Sequence, residues 1–208
     1  MGLSVNSPLD EIERHTQAAV DFLTPYLEMS KAENAPLEDL NLFVEHLQGK
    51  KILDVGCGLA YYVDEFTQRS LEYTGIDLSG KMIEVSRKAH PSCTFEQMSF
   101  RKLAFADESF DGLWCCCVFG HEPKRNMPAV LAELRRVLRP SGILSVILPY
   151  TDYSDESVSS LTVNEKLETI WTMWEFVEFS DALTEAGFKI IDAFPRLKNG
   201  SFSFIAQK

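Results

Sequence analysis

Lys51-Ile52-Leu53-Asp54-Val55-Gly56-Cys57-Gly58 joins a short apolar run to a glycine turn, and a stretch bearing Tyr62, Val63 and Phe66 at helical spacing follows it. The order of strand, turn and helix then recurs downstream. Tyr73-Thr74-Gly75-Ile76 runs into Asp77, Ser79 caps a helix carrying Met82, Ile83 and Val85, and residues 93–97 offer a third strand. Residues 110–119 are almost continuously apolar, as expected of a parallel strand covered by helices on both faces. Met127-Pro128 opens a helix with Val130, Leu131, Leu134, Val137 and Leu138, which Pro140-Ser141-Gly142 closes before a fifth strand at 143–148. The alternation predicts an α/β fold built on a doubly wound, mostly parallel sheet with helices on both faces.

Outside this centre the signals change. Pro36 stands at a first helical position, and Leu40, Phe43, Val44 and Leu47 continue a helix that Gly49 ends. A further helical region, kinked at Pro25, is expected over residues 8–29. Residues 1–49 therefore read as a helical preface and 50–149 as the core of one domain spanning 1–208. Residues 150–175 read as an insertion or substrate lid. It is first rich in Ser, Asp, Glu and Thr and then carries Leu161, Leu167 and Ile170 at intervals that permit a helix. Residues 176–208 read as a helix capped by Ser180 and ended by Gly187, followed by strands at 188–194 and 201–207 in a terminal hairpin.

Composition narrows the partners. In 208 residues, 45% are hydrophobic and 11% aromatic, enough for a sizeable core, and a formal charge of −11 repels a phosphate backbone or an anionic membrane surface. Nucleic acid and membrane partners are thereby disfavoured, and a small molecule or a protein remains. Cys57, Cys93, Cys115, Cys116 and Cys117 include no CxxC pair, and consecutive strand residues point to opposite faces, so neither a disulfide framework nor a metal site is expected. Free thiols, and the absence of a signal-like or membrane-spanning apolar run, imply a cytoplasmic protein. Arg135, Arg136 and Arg139 read as a helix surface favourable to the helix dipole.

The glycine turn lies where an open α/β sheet leaves a crevice for ligands, and Asp77 follows Gly58 by nineteen residues, placed to accept hydrogen bonds from both hydroxyls of a ribose. A dinucleotide-binding dehydrogenase would have a third glycine where Tyr61 stands, and Asp54 would repel a pyrophosphate. The same acid suits an ammonium. A nucleoside with a cationic amino-acid tail is the expected ligand, so an NAD-dependent oxidoreductase is the weaker alternative.

Ile52–Gly58, Tyr73–Ser79, Ser109-Phe-Asp-Gly-Leu-Trp114 and Leu134-Arg-Arg-Val-Leu-Arg-Pro-Ser-Gly142 resemble, in order, the motifs of class I S-adenosylmethionine-dependent methyltransferases. The resemblance implies a seven-stranded Rossmann-like sheet whose last strand is antiparallel, with S-adenosylmethionine as cofactor and S-adenosylhomocysteine as product. Carried over by position, Gly56, Cys57 and Gly58 line the methionine part mainly through backbone, Asp54 orients the ammonium and Asp77 holds the ribose. Leu78 and Met82 cover the adenine, Ser99 and Phe100 occupy the place where the family reads the adenine amino group, and Cys115 and Cys116 occupy the position whose backbone contacts the methionine tail. Ser99 stands where the family often has Asp, and Ala60 where it commonly has a third glycine. His121 lies in the loop facing the acceptor and is the candidate general base. Tyr26, Tyr150, Tyr153, Trp171, Trp174 and Phe176 are candidates for the acceptor walls or for core. The expected reaction is in-line methyl transfer to a small or medium-sized acceptor, with a protein acceptor also open. A protein that binds the nucleoside without catalysis is the alternative. The acceptor atom (O, N, S or C) and the oligomeric state are left open.

Overall fold

Strand β1 (Lys51–Val55) is buried at every residue but its first, which is what a central parallel strand requires. Five further strands and one antiparallel strand complete its sheet in the order β3-β2-β1-β4-β5-β9-β8. In chain order these are β2 (Glu72–Asp77), β3 (Thr94–Gln97), β4 (Phe110–Cys116), β5 (Leu138–Pro149), β8 (Lys189–Arg196) and β9 (Ser201–Gln207). β9 pairs antiparallel with both β5 and β8, and the remaining pairings are parallel. The computed structural model describes residues 37–149, 155–163, 165–196 and 201–208, so the helix expected at 8–29 lies outside the described residues.

The helices are α1 (Leu37–His46), α2 (Val63–Gln68), α3 (Gly80–Ala89), α4 (Met127–Val137) and α5 (Phe176–Glu185). They divide the core into two layers by strand alternation. On one face Leu53, Val55, Leu113, Leu144, Val146, Phe202 and Phe204 pack with Leu131 and Leu134 of α4 and Phe179 and Leu183 of α5. On the other, Ile52, Trp114, Ile143, Ile147 and Ile205 pack with Leu40 and Phe43 of α1 and Phe66 of α2. Phe43, Phe66 and Trp114 meet with ring centroids 5.5–6.1 Å apart, in tilted and edge-on contacts.

The expected elements of the core are present, with shifted ends. β4 stops at Cys116, and a single 3₁₀ turn (Phe119–His121) replaces the end of the expected strand. β5 starts early, at Leu138. The C-terminal helix starts at Phe176, not after Ser180, because Phe176, Phe179 and Leu183 form its inward face and Glu175 supplies the extended N-cap residue. Gly187 ends it at φ +82°, as expected of a left-handed C′ residue.

One expectation fails outright. The insertion contains no helix among its described residues: β6 (Asp155–Val163) and β7 (Glu165–Met173) form a separate antiparallel hairpin. Leu161 pairs with Leu167 and Val158 with Ile170, so the spacing that reads as helical is the mirror of two strands about residue 164.

Of the arginines expected on a helix surface, Arg135 and Arg136 lie on α4 and Arg139 in β5, and Arg136 and Arg139 hold the fold together. Arg136 donates to the carbonyls of Phe105 and Leu103, while Glu133 accepts from the Leu103 amide at 2.7 Å, which pins the segment after β3 to α4. Arg139 pairs with Asp111, whose other oxygen accepts from the Lys51 amide at 2.9 Å.

Gly112 lies close beneath Phe43 of α1 and the following Leu47. A Cβ there would lie 2.5 Å from a Leu47 methyl and 2.6 Å from the fully buried Phe43 ring. Replacing Gly112 with Ala overpacks this layer and is expected to lower stability by about 1–3 kcal/mol. Urea unfolding checks this by a lower midpoint at unchanged slope.

Candidate functional site

Strand order reverses between β1 and β4, and at that reversal the carboxyl ends of β1, β2 and β4 leave the crevice of an open α/β sheet. The turn after β1 enters it with Gly56 at φ +71° and Gly58 at φ +52°. A side chain at Gly56 would strike Val118 beyond β4, whereas one at Gly58 would meet nothing within 4 Å. The first glycine thus permits close packing and the second leaves a bare surface. Ala60, at the position of the third glycine, keeps the left-handed backbone at φ +56°, and its amide closes the turn on the Cys57 carbonyl at 2.8 Å.

Asp77 joins two loops. Its carboxylate accepts from the Gly58 amide at 3.0 Å and from the Ser79 amide at 2.8 Å, and Ser79 caps α3 by accepting from the Met82 amide at 3.2 Å. Burial raises the Asp77 carboxyl above its ordinary pKa, while the amides of Ser79, Gly58 and Leu78 oppose that shift by favouring the charged form. With three amides bonded, the carboxylate keeps acceptor capacity for a hydroxyl in the crevice.

Asp54 is more deeply placed, 3% exposed, and accepts from the Tyr73 hydroxyl at 2.7 Å. Burial pushes its carboxyl from 3.8 up to about 7; the Tyr73 bond works against the shift and the Asp77 charge adds to it. Between those values the folded state holds a proton that the unfolded chain has lost, so Asp54 weakens the fold increasingly as pH rises from about 4 to 7. A buried acid kept at this expense invites a cation.

The structure places the expected residues as follows, with some changes of role. The amides of Cys57 and Gly58 are engaged by the Ile76 carbonyl and Asp77, so the loop's free contribution is bare surface rather than donors. The Cys57 side chain is buried and turns toward Tyr73 and Gly75, and burial raises its thiol pKa. Cys115 points into the core among Leu113 and Val146, away from the crevice, because strand alternation sends it to the α4 face. Cys116 is half-buried, 3.6 Å from the Tyr62 hydroxyl; Cys117 is exposed at φ +58°, and its hydrogen bond with Cys116 lowers its own thiol pKa while raising its neighbour's.

Leu78 is half-buried and Met82 buried at the start of α3. Ser99 accepts from the Arg101 amide at 3.2 Å, and Phe100 sits edge-on to Phe119 at 6.0 Å. His121 ends the turn after β4, half-buried. Trp174 is buried and Phe176 half-buried, packed on Phe179 and Phe204 as part of the core. Tyr26, Tyr150 and Tyr153 and the Trp171 side chain lie outside what the structure describes.

Three residues escape sequence reading. Tyr73 sits in an ordinary strand pattern, and Arg101 and Asn126 meet the buried Glu122 only in the folded chain. Among the described residues no cluster of three or more His, Cys, Asp or Glu could hold a metal ion, and no helix is long and apolar enough to cross a membrane. A depression of about 540 Å³ lies at the opposite end of the strands, near Lys51, Glu72 and Thr94, away from the glycine turn.

A seven-stranded sheet of this order, with acids near the ends of β1 and β2 and a glycine turn between them, is a Rossmann-like architecture shared with solved methyltransferases. Residues 52–142 match the methyltransferase domain family. An O-methyltransferase of Pyrenophora dematioidea is 26% identical over 200 residues, covering 86% of this chain and 74% of the relative. A ubiquinone biosynthesis O-methyltransferase of Dechloromonas aromatica is 32% identical over 124 residues, 53% of this chain and 52% of the relative, so the chain spans about half of that protein. Among solved structures, the Burkholderia thailandensis 1,6-didemethyltoxoflavin-N1-methyltransferase with bound S-adenosylhomocysteine shares the fold, with TM-score 0.70 at 17% identity, covering 100% of this chain and 93% of that one. Through residues 52–142 the chain is thus similar to the methyltransferase domain family, and its fold is that of solved methyltransferases.

The left-handed Ala60 stores strain that glycine does not feel. Ala60→Gly is expected to stabilise the protein by roughly 0.5–1 kcal/mol, read as a higher unfolding midpoint, because relief of strain exceeds glycine's entropic cost.

Proposed function

We propose that this protein transfers a methyl group to an oxygen of a small-molecule acceptor. The observation that carries this reading is the likeness, across 86% of the chain, to a relative named an O-methyltransferase. In this reading Asp77 holds the ribose hydroxyls through the acceptor sites its amide bonds leave open, Asp54 faces the ammonium, and Gly56 and Gly58 give the methionine part a surface without side chains. Leu78, Met82, Ser99 and Phe100 surround the adenine. The residues fit the cofactor: a buried acid, Asp54, and a half-buried one, Asp77, both with raised pKa values, stand beside the glycine turn.

When bound, S-adenosylmethionine supplies a methyl group already activated on a sulfonium, so the protein's task is alignment and exclusion of water. The β6–β7 hairpin packs against the Phe119–His121 turn and is the proposed wall of the acceptor space. His121 is the proposed general base that takes the proton from an acceptor hydroxyl.

Incubating the protein with methyl-labelled S-adenosylmethionine and a panel of small hydroxy, carboxy, amino and thiol compounds tests the reading. Label is expected in a methyl ether or ester, and label confined to amine or thiol products, or to protein, contradicts it. With a hydroxyl acceptor, His121→Ala is expected to lower kcat by about 10²–10⁴-fold. S-adenosylhomocysteine affinity, measured by calorimetry, should change less than twofold.

Ionisation of Asp54 also sets a pH dependence. With its carboxyl at about 7, S-adenosylhomocysteine binding is expected to strengthen about tenfold from pH 6 to 8, with proton release on binding below pH 7. Asp54→Asn should flatten the profile.

A further inference from the structure

Glu122 is the one carboxylate of the acceptor-side loop that the described structure buries almost completely, at 1% exposure, and it is held from two directions. Arg101 Nε donates to both of its oxygens, at 2.9 and 3.1 Å, and Asn126 Nδ2 donates to one of them at 2.6 Å. Arg101 comes from the segment after β3, where the adenine is proposed to lie, whereas Glu122 and Asn126 bracket the loop after β4 and adjoin His121. A buried, hydrogen-bonded ion pair contributes little net stability compared with apolar packing, but removing one partner strands the other charge. Its geometry therefore fixes where one loop sits relative to the other.

Hydrogen bonds and the short stretch of chain between them link the pair to the end of β2. The Asp77 carbonyl accepts from the Met98 amide at 2.9 Å, the Ser99 hydroxyl accepts from the Arg101 amide at 3.2 Å, and the Arg101 side chain reaches Glu122. Phe100, between Ser99 and Arg101, also touches Phe119 at the start of the acceptor-side turn. A ligand placed between Asp77 and Ser99 would adjoin the segment that carries Arg101, whose side chain holds Glu122, the residue after His121.

We infer that Arg101, Glu122 and Asn126 are positioning residues that couple occupancy of the nucleoside subsite to the arrangement of the acceptor loop. The inference rests on the proposed placement of the adenine and ribose. Its consequence is an order of events: the nucleoside cofactor binds first and sets the loop that receives the acceptor.

Amide hydrogen exchange of the full chain, with and without S-adenosylhomocysteine, tests this. The Gly58 and Ser79 amides report whether the nucleoside is bound where proposed, and those of Glu122, Lys124 and Asn126 report the loop. In the unaltered protein both groups are expected to slow on binding, the loop about tenfold, a coupling of ordinary size. In Arg101→Met, which keeps an apolar stem but loses the donors, Gly58 and Ser79 should still slow while the loop's ligand-dependent slowing vanishes. Arg101→Lys should restore part of it. A merely structural contact would loosen the loop equally with and without ligand, so an unchanged ligand-dependent difference in Arg101→Met overturns the inference, as does slowing at Gly58 and Ser79 alone in the unaltered protein. No slowing at any of these amides overturns the nucleoside placement itself, and the coupling with it. Should Arg101→Met fail to fold, Asn126→Ala removes one donor, and an undiminished coupling there has the same adverse meaning.

Discussion

The carboxylate of Asp77 is the joint on which the site depends. It ends β2, receives the Gly58 amide from the turn after β1, and receives the Ser79 amide that begins the cap of α3. Hydrogen bonds to a charged group are worth about 1.5–3 kcal/mol each, more than ordinary backbone bonds. The carbonyl of the same residue takes the Met98 amide and so starts the segment after β3. Three loops from three neighbouring strands are therefore registered by one residue. A nucleoside resting there touches a surface that is already assembled, which reduces the ordering cost of binding.

The two acids divide the work by depth. Asp77 is stabilised in its charged form by amides and keeps acceptor capacity, whereas Asp54 lies below it with one phenolic donor and a carboxyl raised to about 7. A partly neutral carboxyl is tolerable in the crevice, and under the proposed function it becomes a charged one when an ammonium arrives. The arrangement places proton release within the physiological range, and Tyr73 tunes where it falls.

The sheet was legible in the sequence because its strands are buried on both faces and read as apolar runs between glycines, caps and helical patterns. The residues from Ile52 to Gly58 and from Tyr73 to Ser79 carried the site for the same reason: strand ends, tight turns and caps leave local chemical signatures. The β6–β7 hairpin was not legible. Leu161, Leu167 and Ile170 owe their spacing to cross-strand partners, and a single chain cannot separate that pattern from a helical one. Tyr73, Arg101 and Asn126 were hidden because their roles exist only through residues at least nineteen positions away, or, for Asn126, through a carboxylate whose burial the fold creates. Trp174 and Phe176 were ambiguous for a related reason, since an aromatic residue that packs in a core and one that walls a ligand look alike until burial decides.

A crystal structure of the full chain with S-adenosylhomocysteine tests the central claim most directly. The account predicts ribose hydroxyls within hydrogen-bonding distance of the Asp77 carboxylate and the ammonium on the Asp54 side of the glycine turn. A nucleoside seated elsewhere, such as the depression near Lys51 and Thr94 at the far end of the strands, or an ammonium directed away from Asp54, would contradict it.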